Sequence, residues 1–298
     1  MSIQHILTPR FILQQVAAGK QNGRLQAATL FVDISGFTAV TEALMQHGKV
    51  GAEALADVMQ AIFTPLITAV YERGGFIAGF AGDAFTAIFP GSGKRAKAQA
   101  VTAAWQMRQA LAAFADHSTS FGTFSFTGRV GVAAGPVNWG ILAGGAQRTA
   151  YFRGRAVDLC AEAEHQAVDG EVVLATDVAE ALADFLTTTA KADASFVRLD
   201  GVAEWLSPGK PVRFDEVVMV ETAVAFHPES LLNMPVKGEF RQVVSVFINL
   251  GGNPRPAALS QFMTRCFALL AQYGGYLCRL DFGDKGCNLL LFWGAPTS

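Results

Sequence analysis

The chain of 298 residues is 51% hydrophobic and 16% charged, so it is long and apolar enough to bury one large core or two smaller ones. Its formal net charge of -2 and the lack of any run of lysine and arginine argue against nucleic acid or an anionic membrane surface as a partner. The longest uncharged run, residues 130–147, contains a proline, an asparagine and five glycines, a composition that spans a bilayer poorly. We therefore expect no transmembrane helix.

Targeting and cysteine signals are weak. Residues 1–15 have neither a basic lead nor a small-residue cleavage site, so they are unlike a signal peptide, and we expect a cytoplasmic protein. The four cysteines have no CxxC spacing and the five histidines do not cluster near them, which argues against a zinc site or a disulfide framework. Buried free thiols are the simpler expectation.

The first predicted elements follow from apolar periodicity. Residues 27–34 form a continuous apolar run, which is typical of a strand buried on both faces. Apolar residues at helical spacing then extend from Leu55 to Val70, and Pro65 is expected to kink this helix or divide it into two segments. Two short apolar runs, GGFIAGF and AFTAIFPG, follow and predict a hairpin with Asp83 at its tip.

The remaining elements complete a recognisable order. A second helix is predicted over residues 94–115, followed by a strand in FTGRVGVAAG, another hairpin arm, and a helix in GRAVDLCAEAEHQA. The order β-α-β-β-α-β, with additions, predicts an α+β domain with a ferredoxin-like fold. We assign residues 25–190 to this domain and residues 1–24 to a segment that precedes it.

Part of this pattern repeats. Four prolines punctuate residues 191–239, which we interpret as the end of the first domain and a linker. In residues 240–298, FRQVVSVFINLGG parallels LQAATLFVDISGF, and YLCRLDFGDKGCNLLLFWGAP parallels FIAGFAGDAFTAIFPG. The second copy is therefore expected to contain β-α-β-β, the first part of the domain.

Two acidic residues are notable because the predicted fold brings them together. Asp33 lies at the end of the first strand and Asp83 lies at the tip of the neighbouring hairpin, so both carboxylates are within reach of one cation. Carboxylates without His or Cys favour Mg²⁺ or Mn²⁺, and Mg²⁺ is normally shared with substrate phosphates. For Asp33 alone, an acid stabilised by the helix dipole would be the simpler interpretation. The pair favours a metal site.

The residues that follow Asp33 are suited to phosphate. A helix start offers backbone N–H groups and the positive end of the helix dipole to an anion. We therefore predict that the turn before the first helix contacts a polyphosphate. This turn consists of Ser35, Gly36, Phe37 and Thr38.

These motifs together resemble a known family. FVDISGFTAVTE followed by GGFIAGFAGDAFTAIFPG is similar to the catalytic domain of class III nucleotidyl cyclases, and in particular to the branch of the soluble adenylyl cyclases. RVGVAAGPV, YFRGRAVDLCAEAE and EFRQVVSVFINL fit the same branch, whose members carry two cyclase halves in tandem. The resemblance covers nearly the whole chain.

The resemblance implies a reaction and a set of site residues. In the family, two divalent ions activate the ribose 3′-hydroxyl and grip the phosphates while that oxygen attacks the α-phosphorus in line and expels pyrophosphate. Asp33 and Asp83 match the metal ligands, and the carbonyl of Ile34 matches a backbone ligand. Arg129 matches a phosphate-binding arginine, although a solvated strand residue is the alternative for it. The implied cofactor is a pair of Mg²⁺ or Mn²⁺ ions.

Base recognition depends on the second copy. Adenylyl members of the family read adenine with a lysine of the second half, and Arg279 takes that position when DKGC is aligned. Arginine differs from lysine in size and shape, and an exposed strand residue is an equal alternative for Arg279. We expect ATP as the substrate, with GTP, and therefore guanylyl cyclase activity, as the alternative.

The two copies differ in ways that bear on catalysis. Asn249 stands in the second copy where the first has Asp33, so the metal pair of the second copy is broken. Asp158 and Glu162 stand where a second-type half would carry an Asn and an Arg that stabilise the transition state, and an acid there would repel the phosphate charge. We expect a fragment of a longer protein, weakly active or inactive alone, with its halves paired or with two copies forming a homodimer. A regulatory nucleotide-binding module without catalysis is the other alternative.

Overall fold

The computed structural model describes residues 8–203, 206, 224–227, 240–283 and 286–294. Most of the predicted linker therefore lies outside the described residues, as do Asp284 and Lys285 of the second hairpin. Within the described part of the chain there are seven α-helices. They are α1 (Arg10–Ala17), α2 (Phe37–Met45), α3 (Gly48–Glu72), α4 (Lys94–Ala112), α5 (Arg155–His165), α6 (Thr176–Ala181) and α7 (Pro256–Tyr273).

The strands of the described residues form three sheets. The bounds of the described strands are β1 (Asn22–Ser35), β2 (Phe76–Ala81), β3 (Ala84–Pro90), β4 (His117–Thr119), β5 (Gly122–Phe124), β6 (Thr127–Gly144), β7 (Gln147–Arg153), β8 (Val172–Ala175), β9 (Leu186–Ala190), β10 (Phe196–Val202), β11 (Val244–Asn249), β12 (Tyr276–Gly283) and β13 (Gly286–Trp293). Two short 3₁₀ helices, Ala183–Phe185 and Val224–Phe226, complete the elements.

The large sheet has the order β2-β3-β1-β6-β8-β10-β9, with β7 paired to β6. Its pairs are antiparallel except β6 with β8, so the sheet is mixed. The chain runs β1, helices, β2, β3, α4, β6, α5, β8, which is the predicted β-α-β-β-α-β order with additions. The predicted α+β fold of the ferredoxin-like type is confirmed.

Apolar burial explains why β1 is central. Ala28, Leu30 and Val32 are buried and lie in the same core cluster as Leu66 of α3 and Val101 of α4. Because a fully buried aliphatic side chain contributes about 1.5–3 kcal/mol, this strand is held firmly between its neighbours. The residues at its carboxyl end are therefore presented on a rigid support.

Pro65 was expected to kink its helix or to divide it into two segments, and the division is wrong. The helix α3 continues from Gly48 to Glu72 through Pro65, and the chain instead breaks between α2 and α3. Pro65 cannot donate a hydrogen bond to the carbonyl of Ala61, but Ala61 is exposed, so water is available to that carbonyl. The hydroxyl of Thr64 donates to the carbonyl of Gln60 at 2.6 Å and supports the same turn.

Among the described helices, α3 alone is long and apolar enough to cross a membrane by length and composition. The same test is passed by core helices of soluble proteins. One face of α3, with Val58, Ile62 and Leu66, packs into the main core cluster. A single helix of this kind is therefore weak evidence for a membrane span.

Strands β4 and β5 form a separate two-stranded sheet, and the three-stranded sheet, called the small sheet below, has the order β11-β13-β12 and contains the second copy. Its helix α7 packs against the first sheet, since Phe267 and Leu270 share a buried cluster with Leu142 of β6 and Tyr151 of β7. Arg153 donates through Nη1 to the carbonyl of Pro254 at 2.9 Å. The two sheets thus contact one another through the β6–β7 hairpin.

Strand β10 lies within residues 191–239, the stretch interpreted above as domain end and linker. It pairs with β8 and β9, so the large sheet extends to Val202. The cysteines are free, and three are buried as expected, whereas Cys278 is exposed.

Candidate active site

Asp33 lies two residues before the end of β1, where the apolar strand reaches the edge of the core. The register of the sheet places Asp33 opposite Ala84 on β3 and opposite Arg129 on β6. Its side chain is 28% exposed, so the carboxylate is held partly out of water but accessible to a ligand. Ile34 follows with a buried side chain, so only its backbone is available as a ligand.

Asp83 lies in the two-residue turn between β2 and β3. Gly82 takes φ +71°, which suits glycine, and Asp83 directly precedes Ala84, the partner of Asp33 in the register. Burial raises the pKa of Asp83 above its usual value, and the negative charge of Asp33 raises it further. The structure therefore brings the two predicted carboxylates together, and their mutual repulsion favours a bound cation.

The turn after Asp33 is fixed by a tight backbone and an aromatic anchor. Gly36 has φ +113°, and a Cβ at this position would overlap the carbonyl oxygen of Ser125. The ring of Phe37 packs at 5.2 Å from that of Phe126 and at 5.8 Å from that of Phe63. Because its ring is packed, Phe37 is available to a phosphate only through its backbone. The first N–H groups of α2 have no partner within the helix and are available in the same way. Ser35 is half-buried and Thr38 is exposed.

Arg129 lies on β6 directly beside Asp33. Its Nη2 donates to Asp33 Oδ2 at 2.5 Å, and its Nε lies 2.9 Å from Glu164 Oε1 and 4.0 Å from Asp169 Oδ1. The hydrogen bond to Asp33 is the main reason why the pKa of Arg129 is raised. Arg129 is 32% exposed and paired, so it is not the solvated strand residue that was the alternative.

Arg279 lies on β12, at the boundary between the two sheets. Its Nη1 donates to the carbonyl of Phe80 at 3.3 Å, and its Nη2 lies 3.2 Å from Asp281 Oδ2. Phe80 precedes Asp83 by three residues, so this contact is roughly 10 Å along the strand from the hairpin tip. The structure therefore places Arg279 beside the strand that leads to Asp83, apart from the carboxylate pair itself.

Comparison with known proteins identifies the fold and its family. The profile of the family described as adenylate and guanylate cyclase catalytic domain matches residues 21–208, which is more than half of the chain. The chain belongs to this family. The resemblance drawn from the sequence motifs is thereby confirmed.

Two curated relatives and one solved structure show how far the similarity of this cyclase chain extends. Adenylate cyclase type 10 is 23% identical over 322 residues in Homo sapiens and 24% identical over 315 residues in Mus musculus, each alignment covering 90% of this chain. The chain spans 19% of the length of these relatives. The adenylyl cyclase CyaB from P. aeruginosa superimposes with a TM-score of 0.51 at 20% identity, over 62% of this chain and 98% of that one, which shows a shared fold.

The second copy of the cyclase pattern has no carboxylate at the position of Asp33. Asn249, at the end of β11, donates through Nδ2 to Asn288 Oδ1 at 2.7 Å and accepts from the N–H of Gly251 at 2.8 Å. These bonds are neutral. At the end of β11, the side chain that corresponds to Asp33 is therefore paired with a neighbouring amide.

Glu164 is a residue of the cyclase site that sequence reasoning missed. It lies on α5 with 2% exposure, beside the buried Cys160 and Ala163. A signal was present, because the apolar stripe 160, 163 and 167 has helical spacing and Glu164 lies within it. A carboxylate on a buried helix face needs a partner, and Arg129 is that partner.

The donor set of the cyclase site fits a shared metal. Among the residues that the structure describes, no three His, Cys, Asp or Glu side chains form a cluster that could hold a metal ion alone. Asp33 and Asp83 supply two hard oxygen ligands, and a small divalent cation completes its shell with substrate phosphates and water. The residues present therefore fit Mg²⁺ or Mn²⁺ bound together with a nucleotide.

Proposed function

We propose that this chain is the catalytic core of an adenylyl cyclase, which converts ATP to cyclic AMP and pyrophosphate. The observation that carries the proposal is the adjacency of two carboxylates, since Asp33 lies opposite the residue that follows Asp83. Two partly buried acids, of which Asp33 raises the pKa of Asp83, suit a divalent cation better than they suit packing. The curated relatives named adenylate cyclase type 10 favour ATP over GTP.

Each residue of the site has a role in this proposal. Asp33 and Asp83, with the carbonyl of Ile34, would hold two divalent ions, which when bound lower the proton affinity of the 3′-hydroxyl and stabilise charge on the phosphates. The N–H groups of residues 35–38, at the start of α2, would donate to the terminal phosphates. Arg129, on the neighbouring strand β6, would donate to phosphate oxygens.

The base would lie toward the small sheet. Arg279 contacts the strand β2 that leads to Asp83, so one side chain of the second copy borders the site of the first. A guanidinium donates hydrogen bonds but accepts none, so Arg279 would bind an acceptor atom of the base, with Asp281 beside it as an acceptor for a base N–H. This arrangement supports pairing of the two halves within one chain.

Turnover is expected to be slow in these 298 residues. A second copy of the chain offers α5 with Asp158 and Glu162, which would not neutralise the charge that develops on the phosphates. Binding of the metal–nucleotide complex does not need a cationic side chain at that position of α5. The proposal therefore separates binding, which should be present, from rapid chemistry.

The test is Mn²⁺-dependent binding and conversion of ATP and GTP by the purified chain, with Asp83→Asn as the control variant. We expect ATP to bind only when Mn²⁺ is present, the Asn variant to lose that binding, and a low yield of cyclic AMP. Preferred binding and cyclisation of GTP would make the protein a guanylyl cyclase. Binding that is unaffected by Asp83→Asn would contradict the proposed site, and rapid turnover would contradict the expectation that this chain is weakly active or inactive alone.

A further inference from the structure

We propose that Glu164 is a positioning residue of the metal site that acts through Arg129. It holds the guanidinium in place so that Asp33 can exchange Arg129 for a divalent cation. This inference rests on the function proposed above, because it concerns the same carboxylate. It assigns a role to a buried acid that lies outside the predicted set of metal and phosphate ligands.

The packing of α5 on the sheet explains how Glu164 reaches the site. Gly131 lies two residues after Arg129 on β6, and a Cβ there would overlap the carbonyl oxygen of Cys160 and the backbone nitrogen of Glu164. The helix therefore approaches the strand more closely than any other residue would permit. This close approach buries the carboxylate of Glu164 beside the Arg129 side chain.

The two acids contact different nitrogens of Arg129. Nη2 faces Asp33 at 2.5 Å and Nε faces Glu164 at 2.9 Å. The Nε contact is an ion pair without good hydrogen-bond alignment, and the other Glu164 oxygen lies 3.7 Å from His165 Nε2. If Asp33 leaves Arg129 for a cation, the Nε contact remains and Nη2 becomes available to a phosphate oxygen.

Charge also favours this exchange. One guanidinium faces three carboxylates, those of Asp33, Glu164 and Asp169, so the corner carries excess negative charge before any cation binds. Without Glu164, Asp33 would be the principal partner of Arg129, and a metal ion would have to displace a tighter pair. Loss of the negative charge of Glu164 would itself also weaken cation binding. Glu164 therefore promotes metal binding without contacting the metal.

The experiment is a titration of the full chain with Mn²⁺ alone, followed by the electron paramagnetic resonance signal of free Mn²⁺. Glu164→Gln is expected to raise the Kd for Mn²⁺ by roughly tenfold, as for other residues that orient metal ligands. Two controls isolate the effect. Glu162→Gln removes an exposed acid from the same helix, and Asp169→Asn removes an acid near Arg129 that is 58% exposed, so each should change the Kd by less than about twofold.

A double-mutant comparison separates positioning from a general effect of charge. In the Arg129→Gln background, adding Glu164→Gln should raise the Kd for Mn²⁺ far less than it does in the wild-type background, because only the bare charge of Glu164 is lost once the path through Arg129 is gone. A further tenfold weakening in that background would overturn the proposal. If Glu164→Gln does not fold, Glu164→Asp retains the charge but retracts it from Nε, and wild-type affinity in that variant would equally overturn it.

The same titration distinguishes this inference from the proposed function. The titration is repeated in the presence of ATP, because the proposed metal is shared with its phosphates. If the wild-type chain binds Mn²⁺ neither alone nor together with ATP, or if its binding does not depend on Asp33 and Asp83, both ideas are wrong. If the wild-type chain binds Mn²⁺ through those acids and Glu164→Gln binds it equally well, only the role of Glu164 is wrong.

Discussion

The ends of β1 and β11 carry the same backbone arrangement with different chemistry. Each strand is followed by a turn that contains glycine with positive φ, and each pairs with the second strand of a hairpin. In the large sheet the terminal side chain is Asp33, which contacts Arg129 and lies beside Asp83. In the small sheet it is Asn249, which hydrogen-bonds to Asn288.

The difference shows what a charge at this position requires. The amide of Asn249 both donates and accepts, so neutral groups such as the Asn288 amide and the Gly251 N–H can pair with it. The carboxylate of Asp33 only accepts, and it stands near a second acid, so it needs a cation from the protein or from solution. The structure holds Arg129 there, and the proposed function replaces that contact by a metal ion.

The largest expected effect comes from giving the end of β1 the asparagine that stands at the end of β11. Asp33→Asn removes a direct metal ligand, so the Kd for Mn²⁺ should rise by more than the roughly 100-fold that loss of an outer partner can cause. Electron paramagnetic resonance of free Mn²⁺ measures this. The matched variant Asn249→Ala should leave Mn²⁺ binding unchanged, and comparable losses in the two variants would contradict the asymmetry.

Arg129→Gln tests the buried charge of Glu164, which lies near the end of β1 and, among the described residues, has no counterpart near the end of β11. It leaves Glu164 buried without its main counter-charge, so the free energy of unfolding should fall by about 3 kcal/mol. At the end of β11, Asn288→Ala removes two neutral hydrogen bonds, one of them long, and should cost about 1 kcal/mol. Urea denaturation without metal measures both. Adding Glu164→Gln to Arg129→Gln should recover part of the loss, and equal losses for the two single variants would show that the ion pair contributes nothing special.

The two turns can be compared through their glycines. Gly36→Ala introduces a Cβ at φ +113° that overlaps the carbonyl of Ser125 and contacts Phe126, so we expect a loss of about 3 kcal/mol. Gly252 has φ +64°, and a Cβ there meets none of the described atoms within 4 Å, so Gly252→Ala should cost about 1 kcal/mol. Thermal unfolding in the absence of nucleotide gives both values. A smaller loss for Gly36→Ala than for Gly252→Ala would mean that the first turn is not held by these contacts.

The carboxylate pair was predictable from the sequence because short-range signals determine it. An apolar strand ends at Asp33, and a two-residue turn places Asp83 at the tip of the adjacent hairpin. Strand pairing then leaves little freedom, since shifting the register by one residue would turn the apolar face of β1 away from the core. The position of both acids thus follows from local patterns and one pairing.

The Arg129–Glu164 contact was not predictable in the same way. It depends on how closely α5 approaches β6 at Gly131, which is a property of packing between distant segments. Pro65 did not divide its helix, and Ala61, whose carbonyl loses its hydrogen-bond donor at Pro65, is an exposed residue. Packing decided the first case and solvent exposure fits the second, and local propensity reveals neither.

The smallest expected effect concerns pH and Asp83. Burial, together with the charge of Asp33, raises the pKa of Asp83 above its usual 3.8, so the folded chain holds this proton more tightly than the unfolded chain does. Without metal, ionisation of Asp83 therefore lowers stability slightly as the pH rises from below 3.8 through the raised pKa. Asp83→Asn should remove this part of the pH dependence and be slightly more stable than wild type at neutral pH.

Mn²⁺ should reverse the sign of this contribution. The metal binds the ionised carboxylate, so stabilisation by Mn²⁺ should be largest at neutral pH and should disappear as the pH falls through the raised pKa of Asp83. Melting temperatures with and without Mn²⁺, measured from about pH 4 to pH 7 around the pKa range of carboxylates, give the comparison. Asp83→Asn should show no Mn²⁺ stabilisation at either end of that range. Equal stabilisation of the wild-type chain at both ends would mean that Mn²⁺ binds elsewhere, since no proton would then compete with it at the corner formed by Asp33 and Asp83.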